Sequence, residues 1–128
     1  MNPAEKKEAL INSLIAEGAL RTKAIIDAFR KVLREDFVLP QYKDYAYVNE
    51  PLPLMAGQTI SQPFTVASMT EALQPRHGNN MLEIGAGSGY AAAVLSRLVE
   101  RVYAVEIIPD LVERARTNLT RAGIGNVE

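Results

Sequence analysis

The stretch Met81-Leu82-Glu83-Ile84-Gly85-Ala86-Gly87-Ser88-Gly89-Tyr90 decides how this chain folds. Its first four residues form a short apolar run of strand length. Glycines then fall at every second position, 85, 87 and 89. Glycine lets the backbone turn sharply and lets a ligand approach with no Cβ in the way. Residues 90–98 continue as a helix rich in small residues, whose first turn offers free N–H groups to an anionic group. Residues 102–106 read as a second apolar strand. Residues 109–122 read as a helix with Val112, Ala115, Leu119 and Ala122 inward and Gly123 as its stop. Strand, helix, strand, helix in this order predicts an α/β architecture, a parallel sheet with crossover helices.

Glu106 ends the second strand, 21 residues after Gly85. An acidic side chain there can accept hydrogen bonds from both ribose hydroxyls of a nucleotide. Which nucleotide is meant turns on the glycine spacing. The dinucleotide fingerprint G-x-G-x-x-G/A asks for a small residue at its sixth position, and here that position is Tyr90. The form E-x-G-x-G-x-G, with Glu83 two before the first glycine, resembles instead the first motif of class I methyltransferases, where the loop holds the methionine part of the cofactor. That resemblance implies a partial Rossmann-like domain with S-adenosyl-L-methionine as cofactor. It makes Glu83, Gly85, Gly87, Gly89 and Glu106 the cofactor-binding residues. Glu83 acts there either by touching the cofactor or through the loop backbone. A dinucleotide site and a purely structural loop are the other readings of the glycines.

Upstream, the chain reads as an N-terminal helical segment. Asn2-Pro3 starts a first helix, with Asn2 as N-cap and Pro3 at its first position. Leu10, Ile11, Leu14 and Ile15 follow at helical spacing, and Gly18 is the stop. Thr22 can cap a second helix whose apolar face is Ile25, Ile26, Phe29, Val32 and Leu33. Residues 36–63 read as an extended loop, broken by Pro40, Pro51, Pro53, Gly57 and Pro63. Tyr42, Tyr45 and Tyr47 within it serve as loop packing or as a cleft wall. Gln62-Pro63 opens a third helix with Ser61 as N-cap and Val66, Met69 and Leu73 on one face. One domain is expected, in which residues 1–62 supply the helical and loop segment and residues 63–128 start the sheet.

The upstream residues also carry a narrower resemblance. Pro51-Leu52-Pro53-Leu54, then Gly57-Gln58-Thr59-Ile60-Ser61-Gln62-Pro63, Val66-Ala67 and Met69-Thr70 resemble the protein-L-isoaspartate O-methyltransferase family, as do Arg34-Glu35-Asp36-Phe37-Val38 and Tyr45-Ala46-Tyr47. The resemblance implies methyl transfer from S-adenosyl-L-methionine to the α-carboxylate of L-isoaspartyl residues in damaged proteins. The ester then cyclises to a succinimide, whose hydrolysis returns some normal aspartate. Ser61 becomes the catalytic position beside the isoaspartyl group, with Thr59 and Gln62 binding substrate near it. The N-cap and site readings of Ser61 are compatible. In that family the sheet continues past the point where this chain ends. The chain is therefore expected to behave as an N-terminal fragment that binds cofactor weakly and is nearly inactive. An open strand edge is expected to invite self-association. A methyltransferase of another acceptor, and a non-catalytic module that binds nucleotide or a partner chain, remain as alternatives.

Composition narrows the chemistry further. The 128 residues suit one domain. With 14 Lys and Arg against 15 Asp and Glu, the net charge is −1 and no general basic field points to nucleic acid. The absence of Cys excludes disulfides, thiolate metal sites and a Cys nucleophile, and a single His excludes a multi-His metal site. That single residue, His77, reads as solvated surface in a turn-rich loop. A carboxylate acceptor is already ionised at neutral pH and needs no general base, so the scarcity of such groups does not argue against an enzyme. The polar N-terminus is unlike a signal peptide, and no apolar run approaches the roughly 20 residues that span a bilayer. The expected partners are isoaspartyl proteins and peptides, without nucleic acid or membrane, in the cytoplasm.

Overall fold

The computed structural model describes residues 1–128. Helix α1 (Pro3–Ala16) starts as expected, with Asn2 Oδ1 accepting the Glu5 N–H at 2.9 Å. Gly18, at φ 79°, turns the chain toward α2 (Lys23–Lys31). The two helices pack together and are joined by Arg30 and Glu8, 2.8 Å apart. Thr22 precedes α2, but its hydroxyl does not cap it. The hydroxyl donates to Glu71 Oε1 at 2.7 Å, while the Arg21 and Thr22 N–H groups donate to Glu71 Oε2. A carboxylate from the next helix therefore replaces the local cap. Leu33 also departs from the expected face: α2 stops at Lys31, Val32 stays buried, and Leu33 turns outward, 44% exposed.

Residues 36–63 are more ordered than their prolines suggest. Two 3₁₀ turns cover Arg34–Asp36 and Pro40–Tyr45. An antiparallel hairpin then pairs β1 (Leu52–Pro53) with β2 (Thr59–Ile60). Its turn places Ala56 at φ 58° and Gly57 at φ 71°, and the Gln58 N–H donates to the Met55 carbonyl. Two successive positive φ values make the turn type that matches strand twist.

Helix α3 (Pro63–Leu73) corrects the capping role expected of Ser61. Gln62 holds the N-cap position without a side-chain bond. Asn49, in the preceding loop, accepts the Phe64 N–H at 3.0 Å. The buried face is Val66, Ala67, Thr70 and Glu71, and Met69 and Leu73 point outward instead. The bonds that Glu71 makes to residues 21 and 22 fix the rotation of this helix. One apolar core runs from Ile11 to Leu119.

The second half follows the expected order. Parallel strands β3 (Asn80–Ile84) and β4 (Arg101–Val105) pair with Glu83 opposite Ala104 and Ile84 opposite Val105. They alternate with α4 (Tyr90–Ser96) and α5 (Pro109–Arg121). In α5 the buried residues are Leu111, Ala115, Asn118 and Leu119, while Val112 and Ala122 are only half-buried. The chain end runs along the far side of β4, with Val127 bridging Val102 in parallel. Thus β4 has neighbours on both edges and β3 on one. One face of the sheet is covered, and the other presents Leu82, Ile84, Tyr103 and Val105 to solvent. No helix is long and apolar enough to cross a membrane.

Candidate functional site

The loop between β3 and α4 is welded to the end of β4. The Gly85 and Ala86 N–H groups both donate to the Val105 carbonyl, at 2.8 and 3.0 Å. The Gly87 N–H donates to Glu106 Oε1 at 2.8 Å, and Glu106 Oε2 accepts the Ile108 N–H at 3.1 Å. These three loop donors are satisfied within the chain, so the loop offers a ligand its shape rather than those N–H groups. Each carboxylate oxygen of Glu106 keeps acceptor capacity beyond its one internal bond.

The three glycines differ. Gly85, at φ 88°, has open space where a Cβ would stand. A Cβ on Gly87 would come no nearer than 3.7 Å to Leu54 of the hairpin. A Cβ on Gly89 would lie 3.2 Å from Leu119 and 3.4 Å from Ala115, both on α5. Gly89 therefore lets two helices approach and faces away from the cavity that the other two border.

That cavity is lined by Thr59, Ser61, Glu83, Gly85, Gly87 and Tyr90 among others, and holds about 60 Å³. It brings together two sequence motifs more than 20 residues apart. Ser61 is exposed at its rim and is released from capping α3. Gln62 is turned aside: its side-chain Nε2 donates to the Asn49 carbonyl at 3.1 Å, which steadies the loop. Glu83 lies inside, with its Oε1 buried and unpartnered. Burial, reinforced by the nearby charge of Glu106, pushes its carboxyl up to about 7. No cluster of three or more His, Cys, Asp or Glu side chains suited to a metal ion is present. His77 is exposed, as expected.

Two residues of this region escaped sequence reasoning. Tyr90, the bulky residue that breaks the dinucleotide spacing, turns toward the N-terminal segment. Its ring meets Phe29 and Phe37 edge-on, with centroids 6.5 and 5.8 Å away. Arg34 is wholly buried and lies over the same ring, 5.0 Å from its centroid. An arginine in a run of charged residues gives no local sign of such burial.

A family model described as protein-L-isoaspartate(D-aspartate) O-methyltransferase matches residues 5–128. A protein-L-isoaspartate O-methyltransferase of Ignicoccus hospitalis is 50% identical over 126 residues, covering 96% of this chain and 60% of that relative. One of Pyrococcus abyssi is 45% identical over 128 residues, covering 99% and 59%. The chain thus spans somewhat over half the length of these relatives. A solved structure of a protein-L-isoaspartate O-methyltransferase superposes with TM-score 0.81 at 33% identity, covering 94% of this chain and 40% of that one. A putative Plasmodium falciparum enzyme of the same kind, in complex with S-adenosyl-L-homocysteine, gives 0.82 at 22% identity, covering 94% and 60%, and supports the fold.

Proposed function

Because the chain belongs to the protein-L-isoaspartate(D-aspartate) O-methyltransferase family, we propose that it serves methyl transfer from S-adenosyl-L-methionine to the α-carboxylate of L-isoaspartyl residues in damaged proteins. The observation that carries this reading is the shared cavity: Thr59 and Ser61 of the acceptor run line it together with Glu83 and the glycine loop.

The residues fit the cofactor. Gly85 leaves room for close approach, and Glu106 retains lone pairs for ribose hydroxyls. The cavity, at about 60 Å³, has room for reacting groups but not for a nucleoside, since sites for larger ligands run to roughly 300 Å³ or more. The nucleoside therefore belongs along the open surface beside Glu106. When bound, the cofactor supplies an electrophilic methyl on a sulfonium. The acceptor carboxylate would be ionised at neutral pH, so no residue of the chain would be needed to remove a proton from it. The chain's task is alignment. Ser61 orients the acceptor at the rim, Thr59 supports it, and Gln62 holds the loop. Gly85, Gly87 and Glu106 seat the donor.

The substrates are isoaspartyl proteins and peptides. A second copy of the chain is also a partner, through the open side of β3. Labelled methyl transfer to an isoaspartyl peptide, with the aspartyl peptide as control, tests the function. Selective labelling is expected, and Ser61→Ala should abolish it while cofactor binding persists. Equal labelling of the two peptides would point to a different acceptor.

A further inference from the structure

Arg34 is fully buried, yet no carboxylate pairs with it. Its Nε donates to the Ala46 carbonyl at 2.8 Å and its Nη2 to the Ser61 carbonyl at 3.0 Å. Its guanidinium carbon lies 5.0 Å from the centroid of the Tyr90 ring. Its Nη1 has no partner. Its own backbone N–H donates to the Tyr47 hydroxyl, which in turn donates to Glu35. Taking a cation out of water without a counter-charge is costly. Packing alone therefore does not explain this side chain.

What Arg34 touches does explain it. Ser61 and Tyr90 both line the same cavity, one on the acceptor run and one at the start of α4. The planar fork of an arginine can hold a carbonyl and cover an aromatic face at once, which a lysine cannot. We propose that Arg34 is a positioning residue for the acceptor, holding the Ser61 main chain against the Tyr90 wall and placing an unneutralised positive charge behind the acceptor site. It touches neither acceptor nor cofactor. It acts through the Ser61 carbonyl and through a field that favours an anionic group in a low-dielectric setting. The Arg34 charge is faced by no carboxylate bond from the 3₁₀ turns, β2 or α4. Glu35, the nearest acid in sequence, is engaged by Tyr47.

This inference rests on the reading of the acceptor as a carboxylate. Arg34→Lys and Arg34→Met, in the full 128-residue chain, test it. The measurements are KM for an isoaspartyl peptide, Kd for S-adenosyl-L-methionine by calorimetry, and amide hydrogen exchange at residues 59–62. Arg34→Lys should raise the peptide KM by roughly tenfold or more through misplacement alone, and Arg34→Met should raise it further by removing the charge. Cofactor Kd should stay close to wild type, and exchange at residues 59–62 should quicken while that at residues 81–84 does not. Wild-type KM and wild-type protection at residues 59–62 in Arg34→Lys would overturn the proposal. So would parallel loss of cofactor affinity and thermal midpoint in both variants, which would mark Arg34 as a residue of the fold only. If the wild-type chain labels the aspartyl peptide as readily as the isoaspartyl one, the functional reading falls, and exchange at residues 59–62 still decides whether Arg34 holds Ser61.

Discussion

Glu106 Oε1 accepts the Gly87 N–H at 2.8 Å, so the residue that follows β4 sets the shape of the loop that follows β3. The same carboxylate steadies the approach to α5 through Ile108. One side chain thus couples two strand ends and stands where ribose hydroxyls are expected. Glu106→Ala should lower the affinity for S-adenosyl-L-methionine by about tenfold or more and cost about 1–2 kcal/mol of stability. Glu106→Gln, which keeps one acceptor oxygen, should fall between it and wild type. Calorimetric titration and thermal melting read the two effects separately.

Two buried carboxylates give opposite pH dependences. Glu83, raised to about 7 by burial and then by Glu106, holds its proton in the folded chain above the pH at which it would lose it unfolded. Between the ordinary carboxylate range and about pH 7 the native state binds more protons, so stability falls as pH rises there. Glu83→Gln should flatten that slope and gain on the order of 2 kcal/mol at pH 7.5. Burial would raise Glu71 as well, but the Thr22 and Arg21 N–H groups, the Thr22 hydroxyl and the Arg21 charge together hold it below its usual value. Its contribution is present at neutral pH and lost as pH falls below the carboxylate range. Glu71→Ala should cost about 2–4 kcal/mol, since it orphans donors at the start of α2. Denaturant melts from pH 3 to pH 8 would separate the two.

The glycines should divide by role. Gly89→Ala meets both a positive φ and contact with Leu119 at 3.2 Å, and should cost about 1–3 kcal/mol with the melting midpoint falling accordingly. Gly85→Ala carries only the backbone strain, because the space around it is open. Its larger effect should be on cofactor affinity. A Gly85→Ala variant with unchanged affinity would mean that the cofactor does not pass over that loop.

The unpaired edge of β3 and the apolar face of Leu82, Ile84, Tyr103 and Val105 should drive association of two copies at high concentration. Ile84, 81% exposed, is the most exposed residue of that face. Sedimentation velocity should show a concentration-dependent dimer that Ile84→Lys returns to monomer. A clean monomer at high concentration would refute this.

Much of this was legible in the sequence where the signal is local. The apolar strands, the glycine loop and Glu106 fix the β3–α4–β4–α5 unit, because strand, turn and helix chemistry each point the same way. Asn2-Pro3 marks α1 for the same reason. What was illegible depends on residues distant in the chain. The hairpin of residues 52–60 hides behind two prolines and a turn that uses Ala56 where Asn would be the usual signal. Ser61 has the residue type of a cap, but Asn49, 15 residues earlier than Phe64, took the task. Thr22 was drawn to Glu71 and not to its own helix. Within the site, Thr59, Ser61, Glu83, Gly85 and Gly87 line one cavity, while Gly89 lies against Leu119 and Ala115 and the Gln62 side chain bonds the Asn49 carbonyl.

The most direct test of a single cleft shared by donor and acceptor is nuclear magnetic resonance of the labelled chain, titrated first with S-adenosyl-L-homocysteine and then with an isoaspartyl peptide. Shifts at residues 83–88 and 105–108 on the first addition, and at residues 59–61 on the second, are the predicted result. Shifts confined to the α1 surface, or a peptide that perturbs nothing near Ser61, would contradict it.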